Sequence, residues 1–548
     1  MKYLNFSKYL VILLMCSCGL QNMVTKFNTI DYTVNPKTME VHGDAININM
    51  VIELPAKYVD KKSIMKFTPV LVKDNNIKKL KTIIIQGEEI SQNGITIGYA
   101  TGGEFKYQET IDYDESFQNA SLYATAEVTI GSNTKIIDKF LITEGIITTS
   151  KRIINNDQWA YSKHGYEKET ILSKSATVYF LVNQANIRQS EKVGGNISDL
   201  KSFMQKNNKT HSIEIISYAS PEGSIDFNSD ISDKRKEQTF NYVKRELMKM
   251  KVDGAEDDAK YKLVSKGEDW AGFNNLVSES NMKDKQSVLN IVNSIKDKRK
   301  REEAIRDMSV IFETIEKDVL PKLRKAEIKI NAYQPKKTDE EIKKLSMENP
   351  SELTIEELLY SATLERNNAM NIYNFTIEHF PNDYRAYNNI GCLTLRSRNP
   401  DRDTKQAKIW FEKSLKIKKN DDALMNLAIL SITDNDLNAY NNYFEQVNNP
   451  QKYNTGMYNL RHGNYKYAID MLDKDTYNYT LAKVLSGDYN VSCNDNSERV
   501  KQQCNYLNAI IGARKGEQEA VLKYLDNKEN KEKALQDFEF KNYWDIIK

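Results

Sequence analysis

Histidine is scarce in this 548-residue chain: His42, His164, His211, His379 and His462 are all there are. They are scattered, with no HExxH pattern and no pairing at helical spacing, which excludes a zinc hydrolase of the usual kind. Cysteine is equally scarce, at five. Beyond the first residues only Cys392, Cys493 and Cys504 remain, without metal-ligand spacing. Cys493 and Cys504 either pair in an oxidising compartment or stay as two thiols, and the sequence leaves both open. Cys392 falls inside a helical apolar pattern and reads as a small buried residue. Charge of one sign is also missing. With 78 basic and 76 acidic residues the net charge is +2, which argues against a general nucleic-acid binder. No phosphate loop appears: the glycines of "GGEF" at Gly102 lack the lysine and the strand–helix setting, and read as a loop between strands. No apolar run reaches the roughly 20 residues of a membrane-spanning helix. No metal and no cofactor is therefore implied.

What is present fits folded, well-solvated domains, with 40% hydrophobic and 28% charged residues. The length exceeds one compact core, so several domains are predicted. From about Phe27 to Thr149 the pattern is strand after strand. "AININMVIEL" sets Ile46, Ile48, Met50, Ile52 and Leu54 on one face. "LYATAEVTI", "GSN" and "KIIDKFLI" read as a hairpin around a glycine turn. An all-β sandwich of immunoglobulin-like type over 27–150 is the expected solution.

Between about Ser173 and Tyr333 strands and helices mix. "ATVYFLV", "HSIEIISYA" and "KAEIKINAY" are predicted strands. A long helix from about Asp230 carries Phe240, Val243, Leu247 and Met250 at spacings of three and four. This predicts an α/β domain over 151–335 with a helical insertion at about 250–323. The run "KDKRKREEAIRD" reads as a solvated helix face. "GEDW" (Gly267–Trp270) places two carboxylates beside a tryptophan. Neighbours in sequence rarely converge on one bond, so a structural role is expected, with Trp270 and Phe273 packing the insertion onto the domain. No convergent catalytic set emerges, so an enzyme acting on wall polymers is disfavoured.

From about residue 345 to 548 the chain is predicted all-α and repetitive. A capping box, Thr354 with Glu357, opens one helix. "AYNNIGCLTLRSRN…AKIWFEKSLKIKKND" resembles a tetratricopeptide repeat, with Tyr387, Gly391, Ala407, Phe411 and Ser414 where two antiparallel helices pack and a long turn at about "NPDRDTKQ". "NLRHGNYKYAIDML" repeats the logic around Gly463 and Ala468. Such pairs must stack into a solenoid to bury their apolar faces. Tyrosines crowd this region, from Tyr440, Tyr443 and Tyr453 to Tyr477 and Tyr479. Most are expected in the core, and a concave groove for protein partners is an expectation beside it.

Two resemblances add function. The start, with Lys2 and Lys8 before "YLVILLM" and then "MCSCG", resembles a bacterial lipoprotein signal (1–17) with a lipobox. It implies lipidation of Cys18, a short lipidated linker (18–26) and anchoring in the outer membrane, periplasmic face favoured. "ISYASPEG…N…IS…R" resembles the OmpA-like family of peptidoglycan-binding domains. Residue by residue, Asn228, Ile231, Ser232 and Arg235 fall on the family's Asn, Leu, Ser and Arg. In that family a turn carboxylate and the helix arginine hold the zwitterionic diaminopimelate of the wall peptide, which suits an anion for its ammonium and a planar fork for its carboxylate. Here Ser220 stands where the family has the acidic residue. Glu222, and less directly Asp226, are the candidate substitutes.

The whole arrangement resembles lipoproteins of the Bacteroidota. It implies a non-enzymatic tether that joins an envelope assembly to peptidoglycan, with Ser220, Glu222, Asn228 and Arg235 as site residues and envelope proteins as partners of the repeats. The alternative is a protein-interaction scaffold whose wall-binding pocket no longer works.

Overall fold

The structure, a computed structural model, describes residues 19–395, 400–494 and 500–548. The signal segment and Cys18 lie outside the described residues. The chain divides into two compact units, one made of residues up to 162 together with 383–548, the other of residues 163–382.

The first unit begins with two sheets packed on one core. Strands are numbered in chain order. One sheet holds β1 (Asp31–Val34), β2 (Met39–His42), β3 (Ala45–Leu54), β8 (Gly103–Asp112) and β11 (Ile146–Ile147). The other holds β4 (Ser63–Lys73), β5 (Asn76–Lys79), β6 (Ile83–Gly87), β7 (Ile95–Ile97), β9 (Ser121–Ile130) and β10 (Asn133–Thr143). The five apolar positions predicted for one face of β3 are all buried, opposite Leu122, Ala124 and Val128 of β9. The β9–β10 hairpin pairs Ile130 with Asn133 across Gly131, whose φ of +59° suits a tight hairpin turn. Part of the expected lipidated linker (18–26) packs into the sandwich. Residues 19–25 are helical, Leu20 and Met23 are buried in the sandwich core, and the Tyr58 hydroxyl donates to the Met23 carbonyl at 3.0 Å. Apolar side chains every third residue gave this stretch a face to bury.

Residues 163–382 form a separate body. Its four-stranded sheet runs in the order β12 (Ile171–Tyr179), β15 (Lys325–Tyr333), β13 (Lys209–Ala219) and β14 (Tyr261–Glu268). The β13–β14 pair is parallel and the others antiparallel. Helices α1 (Gly195–Lys206) and α2 (Ile225–Lys249) share one apolar core with the sheet, through Leu200, Met204, Val243 and Leu247. The helical insertion expected over about 250–323 begins only at Trp270, because Tyr261–Glu268 pairs with β13 as a strand of the sheet. It contains α3 (Trp270–Glu279), α4 (Lys285–Ser294), α5 (Lys298–Arg306) and α6 (Ser309–Asp318) around a core of its own. Trp270 and Phe273 belong to that core, 5.5 Å apart, so they pack the insertion internally. Three helices complete this unit: α7 (Asp339–Glu348), α8 (Ile355–Leu364) and α9 (Ala369–His379). The Thr354–Glu357 capping box opens α8, with both reciprocal bonds made. The sequence placed these helices with the repeats; by packing they go with the sheet unit.

The helices after residue 383 return to the first unit as antiparallel pairs. They are α10 (Tyr384–Thr394) with α11 (Pro400–Ile417), α12 (Asp421–Thr433) with α13 (Leu437–Phe444), and α14 (Lys452–Arg461) with α15 (Tyr465–Met471). A single helix, α16 (Tyr477–Leu485), precedes the last pair, α17 (Lys501–Lys515) with α18 (Gln518–Tyr524). A Cβ on Gly391 would lie 2.5 Å from the Phe411 ring, so the predicted small-against-large contact is real. Most of the expected turn is helix instead: α11 starts at Pro400, a residue preorganised for the first helical position. Cys493 and Cys504 are disulfide-bonded, and the Cys392 thiol is buried.

The sandwich and these helices are cemented into one body rather than strung as separate domains. Arg514 of α17 bridges Glu40 of β2 and Glu539, and Lys541 pairs with Glu144 at 2.7 Å. Gly145, at φ +80°, lies flat against Phe538, where an added Cβ would come within 2.0 Å of the ring. Gly145→Ala is therefore expected to destabilise this unit by about 2–3 kcal/mol, through a left-handed backbone and a clash together. Urea unfolding would check it, and an unchanged midpoint would show that the ring has room to move.

Candidate functional site

Strand β13 alternates Ile213, Ile215, Ser217 and Ala219 inward, then stops at the turn Ser220–Gly223. Ser224 caps α2, its side chain accepting from the Phe227 amide at 3.3 Å. The buried side of the first turns of α2 is Asn228, Ile231, Ser232 and Arg235, one helical stripe facing the sheet. The Ser217 hydroxyl donates to the Ser232 carbonyl at 2.7 Å and fixes the register of helix on strand.

The structure brings Ser220, Glu222, Asn228 and Arg235 to the rim of one cavity of about 710 Å³. Val182 and Phe227 line its apolar side, and Arg306, Phe312 and Glu316 of the insertion close it. Asp226 is exposed on the first turn of α2 and does not line the cavity.

Glu222 supplies the carboxylate that position 220 lacks, and Ser220 donates to it at 2.7 Å. Its partner, however, is Arg324 rather than Arg235. The Arg324 guanidinium holds Glu222 with two bonds of 2.9 Å, a geometry of the strong bidentate kind. Arg235 is 1% exposed and makes main-chain contacts: Nε donates to Gln184 O at 3.0 Å, Nη1 to Tyr218 O at 3.0 Å and Nη2 to Leu181 O at 3.3 Å. It also lies over the Phe180 ring, 5.2 Å from its centre. Burial, reinforced by the charge of Arg324, pushes the Arg235 guanidinium down to about 10. Two of its five N–H groups, one on each terminal nitrogen, are left over from those three bonds.

Asn228 donates to the Gly223 carbonyl at 3.0 Å and to Glu268 at 3.1 Å. This ties the turn to "GEDW", whose Trp270 indole donates to the other Glu268 oxygen at 2.8 Å. Asp269 accepts from the Gly272 amide at 2.7 Å and caps α3. Both carboxylates of that motif are thus committed to structural bonds. Among the described residues no cluster of His, Cys, Asp or Glu could hold a metal ion. No helix among them is long and apolar enough to cross a membrane.

Sequence reasoning missed Arg324, which lies far along the chain from the turn it serves. It also missed a set of asparagines on the first helices of the repeats: Asn389, Asn426, Asn454, Asn478 and Asn508. Each side chain pairs with both the N–H and the C=O of a single residue elsewhere in the first unit. They recur at uneven intervals and at different positions within their helices, so no sequence period marks them. The tyrosines behave as expected for a core, Tyr440, Tyr453, Tyr465 and Tyr477 being buried while Tyr467 is exposed. No protein-family model matches the chain, and no curated protein matches it either.

Proposed function

We propose that this chain is a non-enzymatic lipoprotein, anchored to the outer membrane through Cys18, that serves as a protein-interaction scaffold of a cell-envelope assembly. In this reading residues 171–333 are an OmpA-like domain and the helix pairs from Tyr384 a tetratricopeptide-like solenoid. One observation carries the choice of scaffold over wall tether: the carboxylate of the turn, Glu222, is already neutralised by Arg324. A wall-peptide ammonium entering the cavity would have to compete with a bidentate guanidinium held in a partly buried pair. The seating of Leu20 and Met23 in the sandwich core supports an anchor without slack, since a lipid on Cys18 would adjoin a folded surface.

The second reading, a peptidoglycan tether, is favoured by the open cavity itself and by the two remaining N–H groups of Arg235. Co-sedimentation with purified peptidoglycan sacculi separates the two, using the chain from Gly19. Val182→Trp is the appropriate control, because Val182 lines the cavity, is 49% exposed and takes no part in the ion pairs. The expected result is that neither protein pellets. Pelleting of the wild type that is lost in Val182→Trp would replace the scaffold reading by the tether.

A further inference from the structure

Residues 152–162, "RIINNDQWAYS", have no regular secondary structure, yet they are bound along the inner helices of the repeats at almost every second residue. Asn478 accepts from the Ile154 amide at 3.0 Å and donates to its carbonyl at 2.8 Å. Asn454 does the same to Gln158, at 2.8 and 2.8 Å. Asn426 serves Ala160 at 2.7 and 2.8 Å, and Asn389 serves Ser162 at 2.8 and 3.1 Å. Asn508 repeats the bond pair on Cys493, so the disulfide loop fills the last rung. A carboxamide that pairs with the N–H and C=O of one residue mimics a neighbouring β-strand and reads the main chain, whatever the side chain.

We infer that the inner face of these repeats is a peptide-binding groove that holds an extended strand through its main chain, and that residues 152–162 occupy it as a built-in ligand. The side-chain slots define the class of peptide it takes. Arg461, 8% exposed, grips Asp157 with contacts of 2.9 and 2.5 Å, so an acidic residue is required there; without it a buried cation would be left uncompensated. Two residues later Trp159 packs against apolar clusters contributed by α10 to α13. Ala160, 1% exposed among Met425, Ala428, Ile429 and Tyr440, leaves space for a small residue alone. The ligand is an extended acidic–x–aromatic–small peptide. Because the resident strand belongs to the same chain, its effective concentration is of millimolar order, and a free peptide of equal quality cannot displace it at micromolar levels. The groove of the native chain is therefore closed to such peptides, and protein partners of the scaffold must use other surfaces until the strand is released.

A fluorescent synthetic peptide of residues 151–163 tests this by anisotropy against the chain from Gly19. The native chain is expected not to bind it. The double variant Asp157→Lys, Ala160→Trp unseats the resident strand while leaving the groove intact, and is expected to bind at least about tenfold more tightly than the native chain. Adding Asn426→Ala and Asn454→Ala to that variant abolishes binding, since four main-chain bonds are lost. Equal binding to native and double-variant chains, or none to a double variant with native circular dichroism, overturns the groove. Should the double variant fail to fold, hydrogen exchange on the native chain and on Asn454→Ala decides. About tenfold faster exchange at Gln158, with Ser162 unchanged, sustains the inference. Fast exchange of Gln158 and Ala160 in the native chain overturns it.

Discussion

Arg235→Ala is expected to lower the stability of the sheet unit by about 3–5 kcal/mol, near the upper end for a single substitution. The side chain is among the largest fully buried ones in the protein, so its removal leaves a cavity. It also strips donors from the carbonyls of Leu181, Tyr218 and Gln184, and an orphaned buried acceptor costs about 1–3 kcal/mol. Arg235→Lys is not expected to rescue it, because a single ammonium cannot span three carbonyls set by a planar fork. Hydrogen exchange localised to β13 and α2 provides the measurement, since the chain has two units and one global midpoint would not isolate this one. A loss below about 1 kcal/mol would contradict the account of a guanidinium serving as a structural rivet. The same result explains why Arg235→Ala makes a poor control for wall binding: it damages the domain as well as the pocket.

Arg514→Ala should cost the other unit a comparable amount, about 3–5 kcal/mol. Arg514 sits between Glu40 of β2 and Glu539, with a 2.5 Å contact to the former and a bidentate hold on the latter. Removing it leaves two carboxylates facing each other where sandwich and helices meet. Thr149, donating to Glu539 at 2.5 Å, cannot offset a full charge. Burial already raises the Glu539 carboxyl above the ordinary value of 4.5, even with Arg514 opposing the shift. Without Arg514 it rises further.

An acid whose folded-state pKa is raised binds its proton more tightly in the folded chain than in the unfolded one. Stability therefore falls as pH rises from about 4.5 through the folded value, and recovers on acidification. Urea midpoints of Arg514→Ala relative to wild type should converge as the pH is lowered toward that ordinary value. A penalty independent of pH would mean that lost packing, not uncompensated charge, is the cause. Glu539→Gln in the Arg514→Ala background should restore part of the loss at neutral pH, because it removes one of the two stranded charges.

Much of the local structure was legible because it depends on neighbours in sequence. Period-two alternation placed five residues of β3 in the core, and Thr354 with Glu357 announced the start of a helix. The set Asn228, Ile231, Ser232 and Arg235 was picked out by resemblance and falls on one buried helix face, although the helix starts at Ile225 rather than near Asp230. The small-against-large packing of Gly391 on Phe411 followed from the repeat pattern. The coarse order of an all-β region, a mixed region and a helical region came from the same periodicities.

What the tertiary structure alone decided was partnership. Ser220 and Glu222 could be named as the turn's polar groups, but nothing local told that the carboxylate would be claimed by Arg324 at the foot of β15. That choice arises from the strand order, which sets β15 beside β13. Nor did composition tell that residues 152–162, which the sequence placed at the start of the α/β domain over 151–335, would belong to the other unit and lie in the groove of helices more than two hundred residues later. The groove asparagines look like any polar helix residues until an extended strand is laid against them. Helical and strand periods report which side of an element is buried; which distant segment buries it is set by the path of the whole chain, because contacts remote in sequence are selected by topology and not by local propensity.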